Sequence, residues 1–145
     1  MITKSVLLVC GPARAFELFT NRISEWWPPE RRHTGDPKST ITLAESGRFF
    51  ERGGSGNEVE LGAVISWHAP EKIVLDWYPG TDKDHPTRVE IRFAAEGDGT
   101  RITVDHGPTE ASEDLFPMRA PRYEASWTLV FHALVRAAAD LGEPH

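Results

Sequence analysis

The amino-acid sequence predicts an α+β domain in which a curved six- or seven-stranded antiparallel sheet wraps a long C-terminal helix, with a short broken helix after the first strand. Three observations carry this expectation. Short segments of alternating apolar and polar residues recur through the chain, separated by Gly-, Pro- and Asp-rich turns, as half-buried strands require. An apolar stripe at three- and four-residue steps, Trp127, Val130, Phe131, Leu134, Ala138 and Leu141, marks a helix near the C-terminus. Strands joined by hairpin turns pair antiparallel, and helices kept apart from them gather on one face.

The elements follow in order. Residues 2–9 read as a first strand, stopped by Gly11-Pro12, and Pro12 suits a first helical position because its missing N–H needs no partner there. Phe16, Phe19, Ile23 and Trp26 then share one helical face, with Asn21 as the joint between two segments and Pro28-Pro29 as the stop. Strands are expected at 40–45, 48–52, 58–68 (with pronounced alternation), 72–78, 87–96 and 101–106. Gly97-Asp98-Gly99 makes the tightest hairpin turn. Residues 107–120 show no periodicity and read as a fourteen-residue loop of the length that often gates a site. Pro121 opens the last helix, which runs to about Leu141 and closes at Gly142.

Composition narrows the function. A chain of 145 residues fits one domain, 1–145. Its formal charge of −6 argues against nucleic acid and against anionic membrane as partners, since both need a basic face. Arg31-Arg32 and Arg119/Arg122 are too sparse to make one. A lone cysteine, Cys10, forms no internal disulfide and reads as a buried structural thiol. The apolar run Val6 to Cys10 is too short for a signal-peptide core or a membrane span, so a cytoplasmic location is expected.

Four stretches, in this order and spacing, resemble the START-like (SRPBCC, helix-grip) superfamily, and within it the homology family of the heat-shock chaperone ATPase activator. They are the opening helix from Pro12 to Thr20, the Trp26-Trp27 pair, the segment from Gly47 through Glu60, Gly62 and Trp67 to Trp77, and Val89–Phe93 with Gly99–Gly107. Two positions depart from the family pattern: Leu61 stands where an aromatic is usual, and Ser126 precedes Trp127 where a glycine is common. The second departure bears on pocket size. The resemblance implies a single START-like domain, but similar folds serve as lipid carriers, aromatase/cyclases, receptors and chaperone regulators, so it does not set the activity.

Chemistry-bearing motifs are sparse. No nucleophile elbow, phosphate loop or dinucleotide fingerprint is present, and no catalytic residue or cofactor is assigned. The six histidines lack metal-ligand spacing, and no metal is expected. The aromatic residues speak most strongly. A sheet that curls away from its helix at one end leaves volume for side chains to line, and small-molecule sites are largely apolar with few polar groups. The expected cavity sits under residues 107–120. Its candidate ligand-binding residues are Trp26, Trp27, Phe49, Glu60, Trp67 and Trp77, then Ile91, Phe93, His106 and Phe116, then Tyr123, Trp127 and Phe131. The leading expectation is a binding module for a small hydrophobic or aromatic molecule. A second is an aromatase/cyclase-like enzyme using His106 or Glu60 as acid/base. A third, from the family name alone, is contact with a chaperone. A homodimer fits the edge strands and the habit of the family.

Overall fold

A computed structural model describes residues 1–141. Seven strands form one sheet: β1 (Ile2–Leu8), β2 (Thr40–Leu43), β3 (Arg48–Arg52), β4 (Glu58–His68), β5 (Lys72–Trp77), β6 (Thr87–Glu96) and β7 (Gly99–Pro108). Their order is β1-β7-β6-β5-β4-β3-β2 and every neighbour is antiparallel. Helices α1 (Pro12–Phe19) and α2 (Ile23–Trp26) form the expected broken pair, and α3 (Phe116–Asp140) packs across the sheet with contacts to β1, α1 and α2.

The period-2 pattern sorts the two faces of the sheet. Ile73, Leu75, Val89, Ile91, Ile102 and Val104 are wholly or almost wholly buried on the inner face. The outer face carries exposed ion pairs, including Arg88–Asp76 at 2.9 Å, Arg92–Asp105 at 2.8 Å and Arg101–Glu96 at 2.7 Å. Such pairs add little stability and keep this face in water. β4 departs from the expected clean alternation. Irregularities in pairing at Phe49/Phe50 and at Val64/Ser66 break its register against both neighbours, and bulges of this kind bend a sheet and increase its twist. The sheet therefore curls around α3.

Two expectations about the C-terminal third are corrected. Helix α3 begins at Phe116 and not at Pro121, so Pro121 lies inside it. Phe116 and Ala120 continue the apolar stripe of Tyr123 and Trp127, and Phe116 is buried against His106 at 5.6 Å and Tyr123 at 5.7 Å between ring centroids. Pro121 removes one backbone hydrogen bond on an exposed side of the first turns, where water can take the freed carbonyl. The fourteen-residue loop accordingly disappears. β7 runs to Pro108, a 3-10 turn spans Glu110–Ser112, and Thr109 and Ser112 both bond the Pro86 carbonyl, at 2.6 and 2.8 Å. The expected stop at Gly142 lies outside the described residues; the last helical residue is Asp140.

Candidate functional site

Between the inner face of the sheet and α3 lies a cavity of about 430 Å³. Its apolar wall comes from Trp27 after α2, Phe49 on β3, Leu61 on β4, Trp77 on β5, and Trp127 and Val130 on α3. The rings form a continuous set: Trp27 meets Trp77 at 6.2 Å, Phe49 meets Trp77 at 5.3 Å, and Trp77 meets Trp127 at 5.2 Å between centroids. Aromatic neighbours at these spacings hold one another in place. The rim is made by Arg31 and His33, by Pro79 and Gly80, and by Arg122, Tyr123, Ala125 and Ser126. Ser126, the residue that replaces the family's glycine, thus borders the cavity.

The rim is built by specific bonds. Glu51 is fully buried and its carboxylate accepts the backbone N–H groups of His33 at 2.7 Å and Thr34 at 3.0 Å, and the Thr34 hydroxyl at 2.7 Å. Burial alone would push this carboxyl up, but these donors outweigh it and hold it below its ordinary value. Arg32 donates to the carbonyls of Ser39 at 2.8 Å, Ser24 at 2.7 Å and Trp27 at 3.2 Å. Together they anchor the segment that follows α2. On the opposite side, Tyr123 donates its hydroxyl to the Pro79 carbonyl at 2.8 Å. Gly80, with φ of +85°, lies flat against that ring, where a Cβ would sit 2.6 Å from the phenol oxygen.

Trp27, Phe49, Trp77, Tyr123 and Trp127 of the expected set meet around this cavity. The others sit elsewhere. His106 lies behind Trp127 and is fully buried. Its Nδ1 accepts the Trp127 indole N–H at 3.0 Å, so its proton is on Nε2, which faces the Thr87 hydroxyl at 2.8 Å; that hydroxyl in turn donates to the Trp77 carbonyl at 3.2 Å. Burial, helped by the positive N-terminus, lowers its pKa to about 3, so it is neutral at physiological pH. Phe116 packs against it from α3. Trp26 is spent on the end of α1, its indole N–H donating to the Leu18 carbonyl at 2.8 Å. Ile91, Phe93 and Phe131 are core residues, Phe93 meeting Phe16 at 5.1 Å and Phe131 meeting Trp127 at 5.9 Å.

Trp67 lies on the far side of the molecule, edge-on to Phe16 at 5.3 Å, in a more open groove of about 640 Å³ whose lining is largely exposed. Glu60 points to the outer face, where it is exposed and ion-paired with Arg48. At Gly62 the neighbouring strand comes close: a Cβ there would collide with the Asp76 carbonyl of β5. The cavity is thus not roofed by residues 107–120. Its rim is the 3-10 turn Pro29–Arg31 with His33, the turn after Trp77, and one edge of α3. Among the described residues no cluster of three or more His, Cys, Asp or Glu side chains could hold a metal, and no helix is long and apolar enough to cross a membrane.

Sequence reasoning missed the polar rim. Arg31 and Arg122 look like scattered surface charge, because residues 91 positions apart share no local pattern; the helical step from Arg122 to Ser126 was the one available signal.

Comparison with known structures supports the architecture. CalC from Micromonospora echinospora, a self-sacrificing resistance protein, is 22% identical with a TM-score of 0.75, over 99% of this chain and 97% of its own. NE0264 from Nitrosomonas europaea is 12% identical with a TM-score of 0.68, over 97% of this chain and 95% of its own. The anthrahydroquino-gamma-pyrone synthase Txn09, solved in complex with SUM, is 24% identical with a TM-score of 0.53, over 92% of this chain and 85% of its own. At these identities the likeness is one of fold. No curated protein matches the sequence. The family described as Activator of Hsp90 ATPase homolog 1-like protein matches residues 10–139, and the chain, with its helix-grip fold, belongs to that family.

Proposed function

We propose that this protein binds a small hydrophobic or aromatic molecule in the cavity between the sheet and α3. The observation that carries this reading is the cavity itself, about 430 Å³ walled by Trp27, Phe49, Trp77 and Trp127. That volume falls within the range of about 300–1,000 Å³ usual for small-molecule sites. Binding is favoured over acid/base catalysis because neither residue once considered for that work borders the cavity. His106 has both ring nitrogens engaged in the core, and Glu60 is paired on the opposite face. Ligand-bearing and resistance proteins of the same fold, Txn09 and CalC, are compatible with this reading without naming the ligand.

Three of the five tryptophans line the cavity, so its occupation should change intrinsic fluorescence. Titration with a panel of apolar and aromatic compounds is expected to quench emission saturably. Ser126→Phe, which projects a ring into the cavity from an α3 position that makes no side-chain hydrogen bond, is expected to abolish the response and retain cooperative unfolding. A flat response across the panel, or an unchanged response in Ser126→Phe, refutes the proposal.

A further inference from the structure

The cavity is apolar in its wall but one-sided in its charge. Arg31, His33 and Arg122 border it, and no Asp or Glu does, in a chain whose net charge is −6. Most other arginines are already committed. Arg22, Arg48, Arg52, Arg88, Arg92 and Arg101 are ion-paired on the surface. Arg32, next in sequence to Arg31, spends its guanidinium on backbone carbonyls.

Arg31 is different. Its Nε–H is sealed from solvent and has no hydrogen-bond partner, and its one side-chain bond runs from Nη1 to the Glu30 carbonyl at 3.2 Å. A buried donor left unpaired is costly, and native proteins rarely tolerate one without a reason. Arg122, exposed at the rim, makes no ion pair among the described residues. The two acids of an adjoining groove are occupied, Glu60 by Arg48 and Asp82 by His85 at 2.7 Å, and the buried Glu51 behind His33 is spent on the donors of His33 and Thr34. Two planar cationic forks beside packed aromatic rings suit one kind of molecule, an apolar ring system bearing an anionic group.

We infer that the ligand is an aromatic acid, its ring body held among Trp27, Phe49, Trp77 and Trp127 and its anionic group held by Arg31 and Arg122. This rests on the binding reading above and specifies the ligand class. The cavity equals about fourteen water molecules in bulk volume at roughly 30 Å³ each, which leaves room for a fused bicyclic aromatic acid.

The test uses 2-naphthoate and its neutral isostere 2-naphthamide, measured by calorimetry on the full chain. A charge-assisted hydrogen bond is worth enough to make the anion bind about tenfold to a hundredfold more tightly than the amide. That preference should shrink with added salt, since Arg122 is exposed. Arg31→Gln and Arg122→Gln should each lose most of that preference, weakening naphthoate far more than naphthamide. Retained naphthamide binding is the control for folding, and the Arg31 carbonyl that accepts the Trp27 indole N–H at 3.3 Å is untouched by the change. Equal affinity for the two probes in the unmodified protein, or a preference that survives both substitutions, overturns the inference and leaves the apolar binding reading standing. Failure of both probes to bind overturns the two together.

Discussion

Acid should weaken this fold well above the pH at which its carboxylates protonate, and the cause is His106. The ring is fully buried and held as the Nε2–H tautomer between the Trp127 indole and the Thr87 hydroxyl. Its pKa falls from 6.5 to about 3, first because burial disfavours the imidazolium and second because of the positive N-terminus. The unfolded chain takes up a proton near 6.5 that the folded chain refuses until about 3, so stability is intact above 6.5 and is lost as the pH falls through that window. At about pH 5 the penalty is about 2 kcal/mol, and it levels at about 5 kcal/mol once the folded ring also protonates. With a urea dependence of about 2 kcal/mol per molar, the midpoint should drop by about 1 M between about pH 7 and about pH 5. Urea titrations followed by tryptophan emission measure this, and nitrogen NMR of the ring should show the neutral Nε2–H form at both values. A midpoint that does not move, or an imidazolium signal at about pH 5 in the folded protein, refutes the reasoning.

Two further outcomes follow from the packing. Gly62→Ala places a methyl group against the Asp76 carbonyl and close to Phe49, and should cost about 2–4 kcal/mol in thermal or urea unfolding. Glu51→Gln replaces the acceptor of three bonds from His33 and Thr34 and should cost about 1–3 kcal/mol. Because the folded carboxyl titrates below its ordinary 4.5, the stability Glu51 adds is present above that value and is lost as pH falls beneath it. The difference between the two proteins in urea midpoint should therefore narrow in that acid range. A difference that is independent of pH would mean that the carboxylate charge is not what holds the rim.

The architecture was legible because its signals are local. Alternation at Val89, Ile91 and Phe93, the Gly97-Asp98-Gly99 turn and the Phe16–Phe19 stripe each specify an element within a few residues, and the structure has those elements there. The start of α3 was hidden by its two prolines. Pro121 imitates a first-turn residue, while Phe116 and Ala120 reveal a helix only when joined to Tyr123 and Trp127 downstream. The cavity divided in the same way. Trp77 and Trp127 could be anticipated, since large rings on the faces that meet must pack or line a space. Arg31 and Arg122 could not, because their meeting depends on Glu51 drawing the 31–39 segment toward the sheet and on the bulges that curl β3 and β4. Nothing in the run Arg31-Arg32 tells which guanidinium will be consumed by carbonyls and which left open.

The pairing of β1 with β7 has a consequence for synthesis. Thr3 donates its hydroxyl to Asp105, 102 positions later, and Thr100 bonds the Cys10 carbonyl across 90. A ribosome releasing this chain at about 5–20 residues per second leaves β1 without its neighbour for at least several seconds. During that time its backbone donors and acceptors form an open edge able to add to any extended segment nearby. Lys4, in the middle of the strand, is the kind of charge that discourages such additions, and in the finished molecule it reaches Thr128 on α3 at 3.0 Å. Of the seven described strands, β1 emerges before the others and its partner β7 after them, so nascent chains stalled before residue 100 should be the species most prone to aggregate.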